Sequence, residues 1–170
     1  MISVELRQLL DHMAWADALV WAEVLRVPKA EDDQRLTELL HHVHMVQHVY
    51  LQIFRGERVE MRALDEFDSH GAIADWGRSC HAGLKEYASR LDADALDREI
   101  AIPWADQRVV HYGRARPTTV RQGLLQLASH SAYHRGQINT RIRTLGGEPP
   151  LTDFVVWVWL GRPEAEWPGR

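Results

Sequence analysis

Histidine is the residue type that invites chemistry in this chain. The 170 residues include ten histidines and a single cysteine. Four histidines crowd between residues 41 and 48: His41, His42, His44 and His48. Two more, His130 and His134, stand four positions apart. On a helix, that spacing sets the two imidazoles only about 40° apart around the axis, so both can reach one ion. A third imidazole from elsewhere would complete a three-ligand set with an open fourth position, the arrangement of catalytic rather than structural zinc. On spacing alone, a hydrogen-bonded pair of core histidines is the competing reading.

The residue periodicity supplies the elements that must carry these side chains. Four segments read as long helices. The first runs from about Val4 to Arg26, with Leu6, Leu9, Met13, Ala16, Val20 and Val24 at three- and four-residue steps, and Pro28 stops it. The second starts near Asp32–Asp33 and runs to Arg55, before Gly56. The third covers Ser69 to Leu91, with Ile73, Trp76, Cys80, Leu84 and Tyr87 on one side. The fourth follows Pro117-Thr118-Thr119 and ends at Leu145, before Gly146-Gly147. Arg98 to Arg116 reads as an extended loop or short hairpin, from Ile100, Ile102, Val109, Val110, Pro103 and Gly113. Phe154 to Leu160 reads as a short fifth helix, with a strand as the alternative because Val155, Val156 and Val158 are β-branched. The tail after Gly161 is expected to be loose. The expectation is an all-α chain, a four-helix bundle in one domain spanning residues 1–170.

Helix faces divide the histidines. Thr37, His41, His44, His48, Gln52 and Arg55 form a polar stripe, which is expected to face water. Leu39, His42, Val46, Val49 and Ile53 form a second stripe, apolar apart from His42. His42 is therefore expected to point inward, and His41, His44 and His48 outward. On the fourth helix, His134 lies within the apolar stripe and His130 at its edge. His42, His130 and His134 can thus meet between two helices.

Other chemistries are excluded or weak. The net charge is −4 with histidines neutral, and the basic residues gather only modestly at Arg135, Arg141 and Arg143, so nucleic acid is not an expected partner. Glu38-Leu39-Leu40-His41 has the Glu-x-x-His form of di-iron bundles but occurs once. There is no His-Glu-x-x-His and no Gly-rich phosphate loop, so no organic cofactor is expected. Cys80 lies on an apolar side and reads as core. Met1 to Leu10 carries Glu5 and Arg7 with no apolar run after it, so no signal peptide is expected. A lone cysteine fits a reducing, cytoplasmic setting.

The segment His130-Ser131-Ala132-Tyr133-His134-Arg135-Gly136-Gln137-Ile138, followed by Leu-Gly-Gly-Glu-Pro-Pro-Leu-Thr-Asp to Asp153, resembles the C-terminal signature of the DinB family of YfiT-like metalloenzymes. Leu40 to Gly56 and Trp15-Ala16 are similar to that family's second and first helices. The resemblance implies an up-down-down-up bundle, often a homodimer, with one divalent ion, zinc or nickel, on His42, His130 and His134. Where relatives often carry an acid or histidine five positions after the first ligand, this chain has Gln47, which is expected only to hydrogen-bond near the site rather than to carry a proton. Relatives also imply a small-molecule substrate, with a low-molecular-weight thiol transfer, a metal-dependent hydrolysis and a non-catalytic stress role as the three readings. Gln137, three residues beyond His134, is expected either to support that ligand or to contact substrate, and Arg135 either to act near the site or to form a surface or interface ion pair. No residue is assigned a catalytic role. Trp157 and Trp159 are expected in the core, with a dimer contact as the alternative.

Overall fold

The structure, a computed structural model, describes residues 3–169. The readings that touch Met1 and the last residue of the tail lie outside it. The fold is all-α. Helix α1 spans Val4–Val24, opened by Ser3, whose hydroxyl accepts from the Leu6 amide. Helix α2 spans Gln34–Arg55. Asp33 caps it through the Leu36 amide at 2.8 Å, and Gly56 closes it at φ 70°, a left-handed position that favours glycine. Helix α3 spans His70–Ser89 behind its cap Ser69. Two short helices follow, α4 at Ala93–Asp97 and α5 at Ala105–Arg108. Helix α6 spans Val120–Thr144, opened by a reciprocal capping box between Thr119 and Gln122. Helix α7 spans Phe154–Trp159. No helix among the described residues is long and apolar enough to cross a membrane.

The four long helices pack side by side, each on two others: α1 on α3 and α6, α2 on α3 and α6. Two apolar clusters fill the space between them. One gathers Leu6, Leu10, Phe54, Leu84 and Leu124, the other Trp21, Leu36, Leu40, Ile73 and Ile142. Each fully buried side chain of this kind contributes roughly 1.5–3 kcal/mol relative to exposure. Close approach between helices needs small residues. A Cβ on Gly77 would meet the His44 ring at 2.4 Å, and one on Gly123 would meet the Phe54 ring at 2.6 Å.

Three segments differ from the sequence reading. In 98–116 only Glu99–Ile100 is extended, pairing with Thr118–Thr119 in a two-residue antiparallel ladder. Val109 caps α5, and Val110–Tyr112 forms a 3₁₀ turn, because Pro103 and Gly113 interrupt any longer strand. The tail after Gly161 is packed. The Trp157 indole donates to the Pro163 carbonyl at 3.0 Å, and Trp167 packs against the core beside His81. Of the two terminal tryptophans, Trp157 is core, whereas Trp159 is 76% exposed. Cys80 is fully buried, and burial pushes its thiol pKa up.

Candidate metal centre

His42 on α2 and His130 and His134 on α6 converge, each half-buried. Their ring centroids lie 5.2, 4.6 and 4.4 Å apart. One nitrogen from each falls within 4.8 Å of the others, close enough to hold a metal ion. The set contains no carboxylate and no thiolate, so it can offer three neutral imidazoles. Burial, then the neighbouring His134 and His42 charges, lowers the His130 pKa to about 4. His42 is lowered by burial first, then by His134, His41, Arg108 and Arg35. A neutral imidazole is what a metal needs.

Two details fit the rings to an ion. His130 Nδ1 is buried and has no hydrogen-bond partner among the described residues, a cost that coordination would remove. His134 Nδ1 donates to Gln137 Oε1 at 2.8 Å. That bond fixes the tautomer and leaves the Nε2 lone pair free, as the supporting partner of a metal ligand should. Of the two roles open to Gln137 in the sequence, this bond corresponds to support of the His134 ring.

A second group lies deeper. Asp17 on α1, His44 on α2 and His81 on α3 are all buried, and their ligand atoms also fall within 4.8 Å of one another. Its hydrogen bonds are already made. The Trp21 indole donates to His44 Nε2 at 2.7 Å, which fixes the proton on Nδ1, and that N–H donates to Gln47 Oε1 at 2.8 Å. Gln47 Nε2 in turn donates to Asp17 Oδ2 and to Ser131 Oγ. His81 Nε2 donates to Asp17 Oδ2 at 3.0 Å, and Arg135 Nη1 to Asp17 Oδ1 at 2.5 Å. Burial alone would raise the Asp17 pKa, but the His81 hydrogen bond and the Arg135 guanidinium reverse this and hold the carboxyl below the usual carboxylate range. Burial lowers the His44 pKa to about 4 in spite of Asp17. A cation entering here would have to displace Arg135 and the Trp21 N–H, so the outer group fits a metal better.

Several sequence expectations are corrected. His44 is not at the surface but 2% exposed, more buried than His42. His41 and His48 do not face water either. Their Nε2 atoms bond the Arg62 and Trp76 carbonyls, and both rings stack on Trp76. The polar stripe of α2 is covered because the loop before α3 and α3 itself supply partners for His41 and His48, and Trp21 of α1 and Gln47 supply those for His44. Arg135 is no surface ion pair: it is 5% exposed and buried against Asp17. Arg141 pairs with the Asp33 cap, so two of the three clustered arginines are neutralised. Gln47 only hydrogen-bonds, as one sequence expectation had it, but within this inner network; Asp17 and His81 were missed as network members. Each continues an apolar stripe of its helix, such as Met13-Asp17-Trp21 and Gly77-His81-Leu84, and an ionisable residue in such a stripe is the signal that was available.

An all-helical protein with an outer trio of convergent imidazoles and a buried ion-pair network is the class that fold and site define. The sequence profile of the DinB family matches residues 3–165. The chain belongs to that family. No curated protein matches it.

Proposed function

We propose that the protein binds one divalent metal ion, zinc or nickel, on His42, His130 and His134, and that it uses the metal's open position to activate a low-molecular-weight thiol for transfer to a small electrophile. The observation that carries the reading is the trio itself: three imidazoles within 4.8 Å, with the buried His130 Nδ1 unanswered. A divalent ion so held supplies a position at which a thiol loses its proton at neutral pH, and the thiolate is the nucleophile. The chain's own residues supply orientation. Gln137 holds the His134 ring. Tyr133 is 66% exposed, with its ring edge-on to His134 at 5.0 Å, and so places a hydroxyl-bearing wall beside the ligands.

Elemental analysis of untagged protein, wild type beside His134→Ala, tests the metal. About one ion per chain, lost in the variant, is the expected result. No ion in either protein after incubation with zinc or nickel would overturn the reading. The thiol is tested separately, by titrating nickel-loaded protein with 2-mercaptoethanol and following near-ultraviolet absorbance. A saturable change absent from His134→Ala is expected. A flat titration would remove the thiol and leave a hydrolytic or non-catalytic role.

A further inference from the structure

A cavity of about 480 Å³ lies between α1, α3 and the segment that follows α7, and none of the three outer histidines lines it. Its size falls among small-molecule sites, roughly 300–1,000 Å³. Its floor is apolar, formed by Met13, Leu84 and Trp167 among others. Its charged lining is cationic in balance: Arg7, Arg78, Lys85 and Arg162 against Asp11 and Glu164. Arg78 is paired with Asp75 and Lys85 with Glu164. Arg7 and Arg162 have no salt bridge among the described residues.

Two further features fix the cavity wall. His81, 6% exposed, lines the cavity. Its Nε2 is committed to Asp17. Asp17 is itself clamped by Arg135 and Gln47, so the His81 ring is held in one orientation at the cavity wall. Arg162, by contrast, sits at φ 60°, the one non-glycine residue with positive φ among those described. That conformation belongs to the turn that ends α7, in which the Arg162 N–H donates to the Trp157 carbonyl at 2.9 Å and so fixes where Arg162 leaves the helix.

We propose that this cavity is a second ligand site and takes a small organic acid. The carboxylate lies toward Arg7 and Arg162. The apolar body rests on Met13, Leu84 and Trp167. His81, oriented by Asp17, forms part of the wall beside that body. The site is independent of the metal reading, since its lining shares no residue with the trio.

Zinc-loaded full-length protein, titrated calorimetrically with phenylacetate and with octanoate, tests the proposal. One-to-one binding is expected, at least tenfold tighter than that of the neutral phenylacetamide. The exposed double variant Arg7→Glu/Arg162→Glu should weaken it at least tenfold, and Ala14→Phe, which places a ring in the cavity, should abolish it. His134→Ala should leave it unchanged. No saturation by either acid at about 10 mM, a level that reveals even millimolar binding, would overturn the site. So would binding that survives both cavity variants, or binding lost in His134→Ala, which would place the acid on the metal. Imidazole ¹⁵N shifts that move for His81 and not for His42 on adding phenylacetate are the second readout, and the reverse pattern would also refute the site.

Discussion

Among the described residues, two clusters of three side chains that could hold a metal bring their ligand atoms within 4.8 Å of one another. They even share a local device. His44 Nδ1 bonds Gln47 Oε1, and His134 Nδ1 bonds Gln137 Oε1, each at 2.8 Å and each three residues along its helix. The far nitrogen separates them. In the inner cluster it accepts the Trp21 N–H, and the carboxylate beside it is neutralised by Arg135. In the outer cluster no partner is recorded for that nitrogen, and a neighbouring ring nitrogen is orphaned. Proximity alone therefore does not identify a metal centre. Unsatisfied lone pairs do, because only there does an ion gain bonds without breaking others.

The contrast makes the inner cluster structural, and the largest effect should appear there. Asp17→Ala would leave the Arg135 charge buried without its carboxylate, a change that costs about 3–5 kcal/mol. His134→Ala in chelator-treated protein should cost less than about 1 kcal/mol, because it relieves crowding among three half-buried rings. Urea unfolding of the two variants beside wild type measures both. If His134→Ala is the more damaging, the assignment of roles is reversed.

Acid should also act on the inner cluster. His44 has a folded pKa of about 4, below the roughly 6.5 of an unfolded histidine. The folded state binds fewer protons, so stability is complete above about pH 6.5 and declines as pH falls toward 4. Between pH 7.5 and pH 5 this one group should cost on the order of 2 kcal/mol in metal-free protein. His44→Gln keeps an acceptor for Trp21 and cannot titrate, so its urea midpoint should vary less with pH. Equal pH dependence in the two proteins would show that His44 is not the responsible group.

The outer trio was legible in the sequence and the inner network was not, for one physical reason. His130 and His134 announce themselves through spacing within one helix, and His42 interrupts an otherwise apolar stripe. The helices and their caps, Asp33, Ser69 and Thr119, are equally local signals. Asp17, His44, His81 and Arg135 come from four different helices, and each is tolerable inside only because of the others. Taken singly, a polar residue on a helix is assigned to solvent, which is how His44 and Arg135 were misplaced. Gly77 carried a clue, since the His44 ring occupies the space that its missing Cβ leaves. No single-helix pattern tells which ring will fill such a gap. Residues 98–116 were misread for a related reason. Ile100, Ile102 and Val109 suggest strand, but pairing depends on a partner across the loop, and only Thr118–Thr119 lies opposite.

The shared histidine–glutamine device offers the finest test of the comparison. Gln137→Ala removes the acceptor for His134 Nδ1. The ring can then rotate or switch tautomer, and a ligand freed in this way typically loses about 10–100-fold in metal affinity. Because Gln137 is only half-buried, unfolding of the metal-free protein should be almost unchanged. Gln47→Ala removes the matching acceptor from His44, together with donors to Asp17 and Ser131. It should lower stability by roughly 1–3 kcal/mol, the cost of leaving buried polar groups unmet, and leave zinc affinity nearly intact. Zinc competition with a chromogenic chelator, paired with urea unfolding, reads both quantities for both variants. A crossed result, with affinity falling in one and stability in the other, is expected if one hydrogen-bond geometry serves a metal ligand in the outer cluster and a core contact in the inner one. If Gln47→Ala loses zinc as severely as Gln137→Ala, the two clusters are energetically coupled through α2 and α6, and the separation of roles fails.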